Sequence, residues 1–377
     1  MKKFNVFLSA LFCLFLGGML VVSTLLPDKD FSPLENRYLQ KPPKLSLETL
    51  QDGSFMEAAE DYVSDHIVGR DFWVAAKAWS ERLSGKHENN GVYFGKEDTL
   101  LNRVDTPSWE DVGTQKGLQS RLDYVDALVG NVSVPVYLGL IPSSSAVWSD
   151  RLPSGAPTAD ELSIIDELYF QTGAGTLDMA GALLSHKDED IYYRTDHHWT
   201  SLGAFYGANV LLETMGLEPL ELSDYQKTTV STEFYGTTFS TSGVRWVRPD
   251  SIDTYVSGDG VKVTSWFEGY PEEGSLYVDS YLDVKDKYSY FLGGNQSLCV
   301  IETEHTDAPK LLIIRDSYSD SLAPFLTERF SEIHLFDPRY NLTSVKDYVE
   351  QNDIDAVTVL YSFSNFATDP YLFVMSR

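Results

Sequence analysis

Cysteine, histidine and basic side chains are the scarce residues of this 377-residue chain. Only two cysteines are present, and Cys13 lies inside an apolar run near the N-terminus. Cys299 is thereby left without a partner, which excludes a disulfide framework. Lysine and arginine number 29 against 56 acidic residues, for a formal charge of -27. Phosphate backbones need a basic face, so nucleic acid is excluded as a partner. No internal repeat or low-complexity tract breaks the chain. Apolar side chains are not scarce: 43% hydrophobic and 13% aromatic residues point to a folded globular protein with a sizeable core.

The long apolar run is the first positive feature. Lys2 and Lys3 precede a nearly unbroken stretch from Val6 to Leu26, and Pro27, Asp28, Lys29 and Asp30 follow it. That is about the ~20 residues a bilayer-spanning helix needs. The positive-inside rule keeps the N-terminus cytoplasmic and puts the remainder outside. A cleaved signal peptide is the rival, with Val22, Ser23 and Thr24 as its cleavage region, but its apolar segment is usually only ~7–15 residues long. The expected organisation is a transmembrane anchor over 1–27, a linker and helical segment over 28–88, and one α/β domain over 89–377.

Within that domain, SVPVYLGLIP (133–142) reads as a strand buried on both faces, PKLLIIRDSYSDSLAPFLTERF (309–330) as a buried strand, a sharp turn and a helix, and EIHLFDPR (332–339) and DAVTVLYSFSN (355–365) as further strands. Helical stretches such as TADELSIIDELYFQTG (158–173) and TSLGAFYGANVLLETMG (200–216) alternate with them. Such alternation predicts right-handed crossovers and a mostly parallel sheet flanked by helices. The Tyr-, Thr- and Gly-rich segment of about 225–305 predicts antiparallel strands and reads as a β-rich insertion or a β-rich flank of the sheet.

Two short stretches could carry chemistry. YYRTDHHWTSLGAF (192–205) holds two of the chain's seven histidines. On an extended segment Asp196 and His198 project to one side and can share a hydrogen bond, with His197 pointing the other way. A carboxylate on one imidazole nitrogen leaves the other free to act as a base. Equally, Asp196 can cap the following helix while the histidines serve as surface or packing residues. A metal site is a third option, though adjacent histidines rarely face one ion. The second stretch is LLIIRDSYSD (311–320). Ser317 follows an apolar strand directly, where α/β sheets place their sites. By itself SYSD reads first as a capping box, Ser317 as N-cap and Asp320 at N3. Together the two stretches supply the three roles of a hydrolytic triad. Asp65 and His66 mimic such a pair but read as anchoring the N-terminal helix against the main domain. Trp199 and His334 read as packing and core residues.

TDHHWT with RDSYSD resembles the DHHW family, and is similar to the SGNH-hydrolase-like domains of alginate O-acetyltransferase proteins. The resemblance also covers LENRYLQKPP (34–43), FMEAAEDYVSDHIVGRD (55–71), GVYFGKEDTLL (91–101) and GTTFSTSGVRWVRPD (236–250). It implies a circularly permuted SGNH-hydrolase-like fold, with Ser317 as nucleophile, His198 as general base and Asp196 as its orienting carboxylate. The oxyanion glycine and asparagine of ordinary SGNH enzymes have no counterpart in this sequence. Backbone N–H groups of Ser317 and Tyr318 are the default donors, with Arg315 or Asn365 as helpers. The alginate proteins carry a basic residue in the segment matching IPSSSAVW (141–148), where this chain has serines, which counts against an alginate-like anionic substrate. No cofactor and no metal are implied.

The expected function is a membrane-anchored, extracytoplasmic O-acetyltransferase or acetylesterase acting on a cell-surface glycan. A membrane-bound acyltransferase is the partner such an enzyme would use. The alternative is a non-catalytic envelope scaffold or glycan-binding protein on the same fold.

Overall fold

The computed structural model describes residues 2–104, 112–267 and 269–377. The chain divides into two compact units, Met1–Asn90 with Phe239–Trp246, and Gly91–Thr238 with Val247–Arg377.

The first unit begins with the Lys2–Leu25 helix, of which Lys3–Leu25 is long and apolar enough to cross a membrane. Length and composition fit a span or a signal sequence alike. Two further helices, Ser54–His66 and Arg70–Leu83, meet at Gly69, whose φ of 68° suits a residue without a Cβ. Asp65 accepts hydrogen bonds from both Arg37 Nη atoms and from Gln40 N–H, while Glu35 pairs with Arg70. The His66 ring nitrogens face the carbonyls of Tyr62 and Lys29. Asp65 and His66 therefore tie the helix to segment 29–40 within this unit. Arginines rather than a serine surround the carboxylate.

The second unit is built on an eight-stranded sheet. Its labelled strands are β1 (Val136–Ile141), β2 (Gly175–Leu177), β3 (Lys262–Phe267), β4 (Tyr270–Gly274), β5 (Leu298–Glu302), β6 (Lys310–Arg315), β7 (Glu332–Phe336) and β8 (Ala356–Ser362). The spatial order is β4-β3-β5-β7-β6-β8-β1-β2. Strands β7, β6, β8, β1 and β2 pair in parallel, and β5, β3 and β4 extend the β7 side antiparallel. Period-two alternation divides the core between the faces. Leu311 and Ile313 pack with Ala208, Leu211 and Leu322 from the Ser201–Thr214 and Ser319–Leu326 helices. Leu312 and Ile314 pack on the other side with Leu122, Val125, Ile165 and Val349.

Of the two readings of the 225–305 segment, insertion or flank, much of it is the sheet's own antiparallel flank, because Cys299 and Ile301 of β5 and Val263 of β3 point into the same core as Ile313. The segment also holds a separate antiparallel pair, Thr228–Phe234 with Asp250–Thr254, and short helices at Thr237–Ser242, Asp279–Asp283 and Lys287–Tyr290.

Candidate active site

The parallel strands end on one edge, and Ser317 lies there, two residues after β6. Its side chain is partly exposed, and Asp316 and Tyr318 on either side are buried. Ser317 does not cap the following helix. The helix starts at Ser319 with Tyr318 at the N-cap position and no side-chain cap, which corrects the capping-box expectation. The hydroxyl has a different partner, His198 Nε2 at 2.7 Å.

His198 lies in a loop closed by the antiparallel bridge between Tyr192 and Trp199. Inside it Asp196 Oδ1 accepts the His198 N–H at 3.0 Å, the local turn that aspartate favours, and the His198 Nδ1–H at 2.6 Å. The segment is therefore bent rather than extended. The bend also turns His197 to the same side, its ring centroid 3.9 Å from that of His198. An ionised carboxylate only accepts, so the His198 Nδ1 carries the proton and Nε2 is left to accept from Ser317.

Several residues hold this arrangement. Asp196 Oδ2 accepts from Thr237 N–H at 2.7 Å and from its hydroxyl at 2.9 Å, and His197 Nδ1 donates to Thr237 Oγ1 at 2.6 Å. Gly236 passes so close that a Cβ there would lie 2.2 Å from Asp196 Oδ2. The Tyr288 ring stacks on His198 at 3.8 Å and 8°, and its hydroxyl donates to Ser317 O at 3.1 Å. Asp250 accepts from Arg194 N–H, Thr195 N–H and the Thr195 hydroxyl, fixing the chain just before Asp196. Trp199 is fully buried and donates through Nε1 to Tyr318 O at 3.0 Å, so it packs the histidine loop onto the serine turn.

Burial alone would raise the Asp196 carboxyl. The neighbouring His197 and His198 outweigh it and hold the group well below the ordinary carboxylate range. Burial, with a second imidazole alongside, displaces His197 downward, although its side chain keeps a third of its exposure.

Beneath Ser317, Asp316 is wholly enclosed. Its Oδ2 accepts from Ser362 N–H, the Ser362 hydroxyl and Asn365 Nδ2, joining the ends of β6 and β8. These bonds bear on the donors expected for an oxyanion. Asn365 is engaged with Asp316, and Tyr318 N–H donates to Asp316 Oδ1 at 3.1 Å. Arg315 is buried against Asp320 at 2.8 Å and Gln296, so it too is engaged elsewhere. Ser317 N–H has no hydrogen bond among the described residues.

Metal-ligating atoms of Asp196, His197 and His198 lie within 4.8 Å of one another. Both nitrogens of His198 and both oxygens of Asp196 are already hydrogen-bonded, so the set is organised around a serine. His334 is a satisfied core residue, bonded to Tyr348 Oη and Glu332.

Sequence reading missed Tyr288, Thr237, Asp250 and Asp316. Thr237 and Asp250 fall inside the 236–250 stretch that resembled DHHW proteins, which is the one signal available for them. Tyr288 is one tyrosine among many, with no motif around it.

The DHHW family model, described as DHHW protein, matches residues 169–336. A DHHW family protein from Eubacterium siraeum is similar in structure at a TM-score of 0.64 and 25% identity, covering 76% of this chain and 95% of its own. Bacillus cereus PatB1 with a sulfonyl adduct shares the fold at a TM-score of 0.62 and 20% identity, covering 76% and 98%. The O-acetyltransferase domain of Pseudomonas putida AlgJ is more distant, at 0.46 and 14% over 76% and 99%. No curated protein sequence matches significantly. The resemblance to the DHHW family seen in TDHHWT and RDSYSD thus extends to the fold.

Proposed function

We propose that this chain is an extracytoplasmic O-acetyltransferase, or acetylesterase, of a cell-surface polysaccharide that works through an acetyl-Ser317 intermediate. One observation carries the reading: the hydrogen-bonded line from Asp196 through His198 to Ser317, at 2.6 and 2.7 Å, on the carboxyl edge of a parallel sheet. Ser317 Oγ attacks the carbonyl carbon of an acetyl ester as its proton passes to His198 Nε2. The ester's alcohol oxygen leaves with that proton. An acceptor hydroxyl then gives its proton to His198 and attacks acetyl-Ser317, and Ser317 Oγ departs carrying the proton. A sugar hydroxyl as acceptor makes a transferase, and water makes an esterase. Asp196 fixes the imidazole tautomer and offsets the imidazolium charge as it forms. The free Ser317 N–H is the donor for the developing oxyanion.

The apolar Lys2–Leu25 helix, with Lys2 and Lys3 before it, supports a membrane anchor and an external domain. A membrane-bound acyltransferase passing acetyl groups outward is the partner this location calls for. A permuted SGNH-hydrolase-like topology fits a serine that lies C-terminal to its Asp-x-His pair.

The test is turnover of 4-nitrophenyl acetate. Ser317→Ala should lower it by about 10⁴-fold or more. An aryl sulfonyl fluoride should modify the peptide that contains Ser317 and spare it in His198→Ala. A second reading, a non-catalytic glycan-binding scaffold, draws on the engagement of Tyr318 N–H by Asp316, which leaves a single backbone donor at the serine. Unchanged turnover in Ser317→Ala would favour that scaffold.

A further inference from the structure

A cavity opens on the same edge of the sheet, away from the histidine loop. It encloses about 890 Å³ beside the ends of β3, β5 and β7. Four of its lining side chains are aromatic: Trp266, Phe267, Tyr270 and Tyr340. Three of them are open to solvent, Phe267 at 37%, Tyr270 at 76% and Tyr340 at 57%. Asn295 and Asn341 lie among them and offer amide donors and acceptors. Arg339 fixes part of this wall: it is paired with Asp337, donates to Asn295 Oδ1 at 3.4 Å and covers the Tyr340 ring at 5.5 Å.

We infer that this groove binds an uncharged polysaccharide chain, the acceptor whose hydroxyl is presented to Ser317. Aromatic faces interleaved with amides suit a sugar ring, which has an apolar C–H face and a hydroxylated rim. Among the described residues lining the groove there is one carboxylate, Glu272, and no lysine or arginine. Arg339 at the wall is already paired with Asp337, and with a formal charge of -27 on the whole chain a polyanion is disfavoured. A peptide strand is disfavoured as well. The outer strand β4 reads YPEEG, and Pro271 with two glutamates blunts that edge against strand addition.

The register links groove to serine. Ile314 pairs with Phe336, Phe336 with Leu298, and Leu298 with Trp266. Trp266 is therefore level with Ile314, three strand spacings away, or about 14 Å at ~4.8 Å per strand. A single sugar at Ser317 does not reach that far, whereas an oligosaccharide laid along the edge does. Choice of a polymer over a free sugar thus falls to residues outside the catalytic cluster. This link rests on the reading of Ser317 as nucleophile, but binding itself does not.

The experiment uses the full chain in detergent carrying Ser317→Ala, so that binding is measured without turnover. The probes are cellohexaose, N-acetylated chitohexaose and a hexamer of galacturonic acid, followed by tryptophan fluorescence and calorimetry. At least one neutral hexamer should bind, and Tyr270→Ala or Tyr340→Ala should weaken it about tenfold each with an unchanged Tm. Trp266→Ala should weaken it further. The inference is overturned if neither neutral hexamer binds, if only the anionic one binds, or if binding ignores both tyrosine variants. Failure of the catalytic reading shows up separately, as 4-nitrophenyl acetate turnover that Ser317→Ala leaves intact.

Discussion

Asp196 and Glu161 are equally hidden carboxyls, each 2% exposed, in the same unit of the protein. Each accepts a backbone N–H and a hydroxyl, Asp196 from Thr237 and Glu161 from Ser143 at 2.5 and 2.9 Å. Their ionisation is nevertheless opposite. Burial pushes Glu161 up to about 7 against the pull of the Ser143 bonds. Asp196 is buried as deeply, and the imidazoles of His197 and His198 bring it below the ordinary range. Two hydrogen bonds from one serine do not offset burial at Glu161, whereas the neighbouring imidazoles and two further bonds from His198 do so at Asp196.

The sharpest way to break the contrast is Asp196→Asn, which keeps the shape and removes the charge. Turnover of 4-nitrophenyl acetate should fall about 10³–10⁴-fold, because the amide lets His198 adopt the wrong tautomer. A loss of less than tenfold would mean that the two carboxyls differ without consequence for chemistry.

Gly236→Ala comes next, since its Cβ would overlap the Asp196 side chain. The carboxylate must shift, and a misplacement of about 1 Å should lower turnover on the order of 10²-fold. A crystal structure of the variant should show Asp196 displaced from His198.

Glu161 gives the pH-dependent half of the comparison. Its folded pKa, about 7, is above the ordinary 4.5, so the native state binds the proton more tightly. The stability it contributes is fully present below about pH 4.5 and is lost as pH rises through 7. Over that range the loss is about 3 kcal/mol. Glu161→Gln should therefore be more stable than the parent to urea at pH 8, and the two should converge near pH 4.5. A parent–variant difference independent of pH would show that Glu161 is charged throughout.

The smallest expected effect is that of Tyr288→Phe. The ring keeps its stack on His198, and only the bonds to Ser317 O and Ser321 are lost. Stability should fall by about 1 kcal/mol and turnover by less than tenfold. Tyr288→Ala, which frees the imidazole plane, should lower turnover more than Tyr288→Phe does.

How much of this was legible beforehand differs by element. The strand at 310–315 announces itself because LLII is apolar on both faces, and a parallel sheet buries both. The Ser201–Thr214 helix was bounded by its own cap, Thr200, and by Gly216 at a φ of 74°. These signals are local. The capping box at SYSD was a local signal too, and it misled, because a histidine 119 residues earlier takes the serine hydroxyl. Asp65 with His66 and Asp196 with His198 look alike in the sequence. They are told apart by what folds against them, two arginines for the first and a serine for the second.

The sequence by itself determined the alternation of strands and helices, the apolar N-terminal run, the acidic charge and the residue types able to form a triad. Each follows from periodicity or composition over a short window. Tertiary structure alone decided that Oδ1 of Asp196 meets His198, that Tyr288 lies flat on that ring, and that Arg315 pairs with Asp320 and Asn365 with Asp316. Those outcomes depend on packing between segments far apart in the chain, where a neighbour's charge or volume outweighs any local preference.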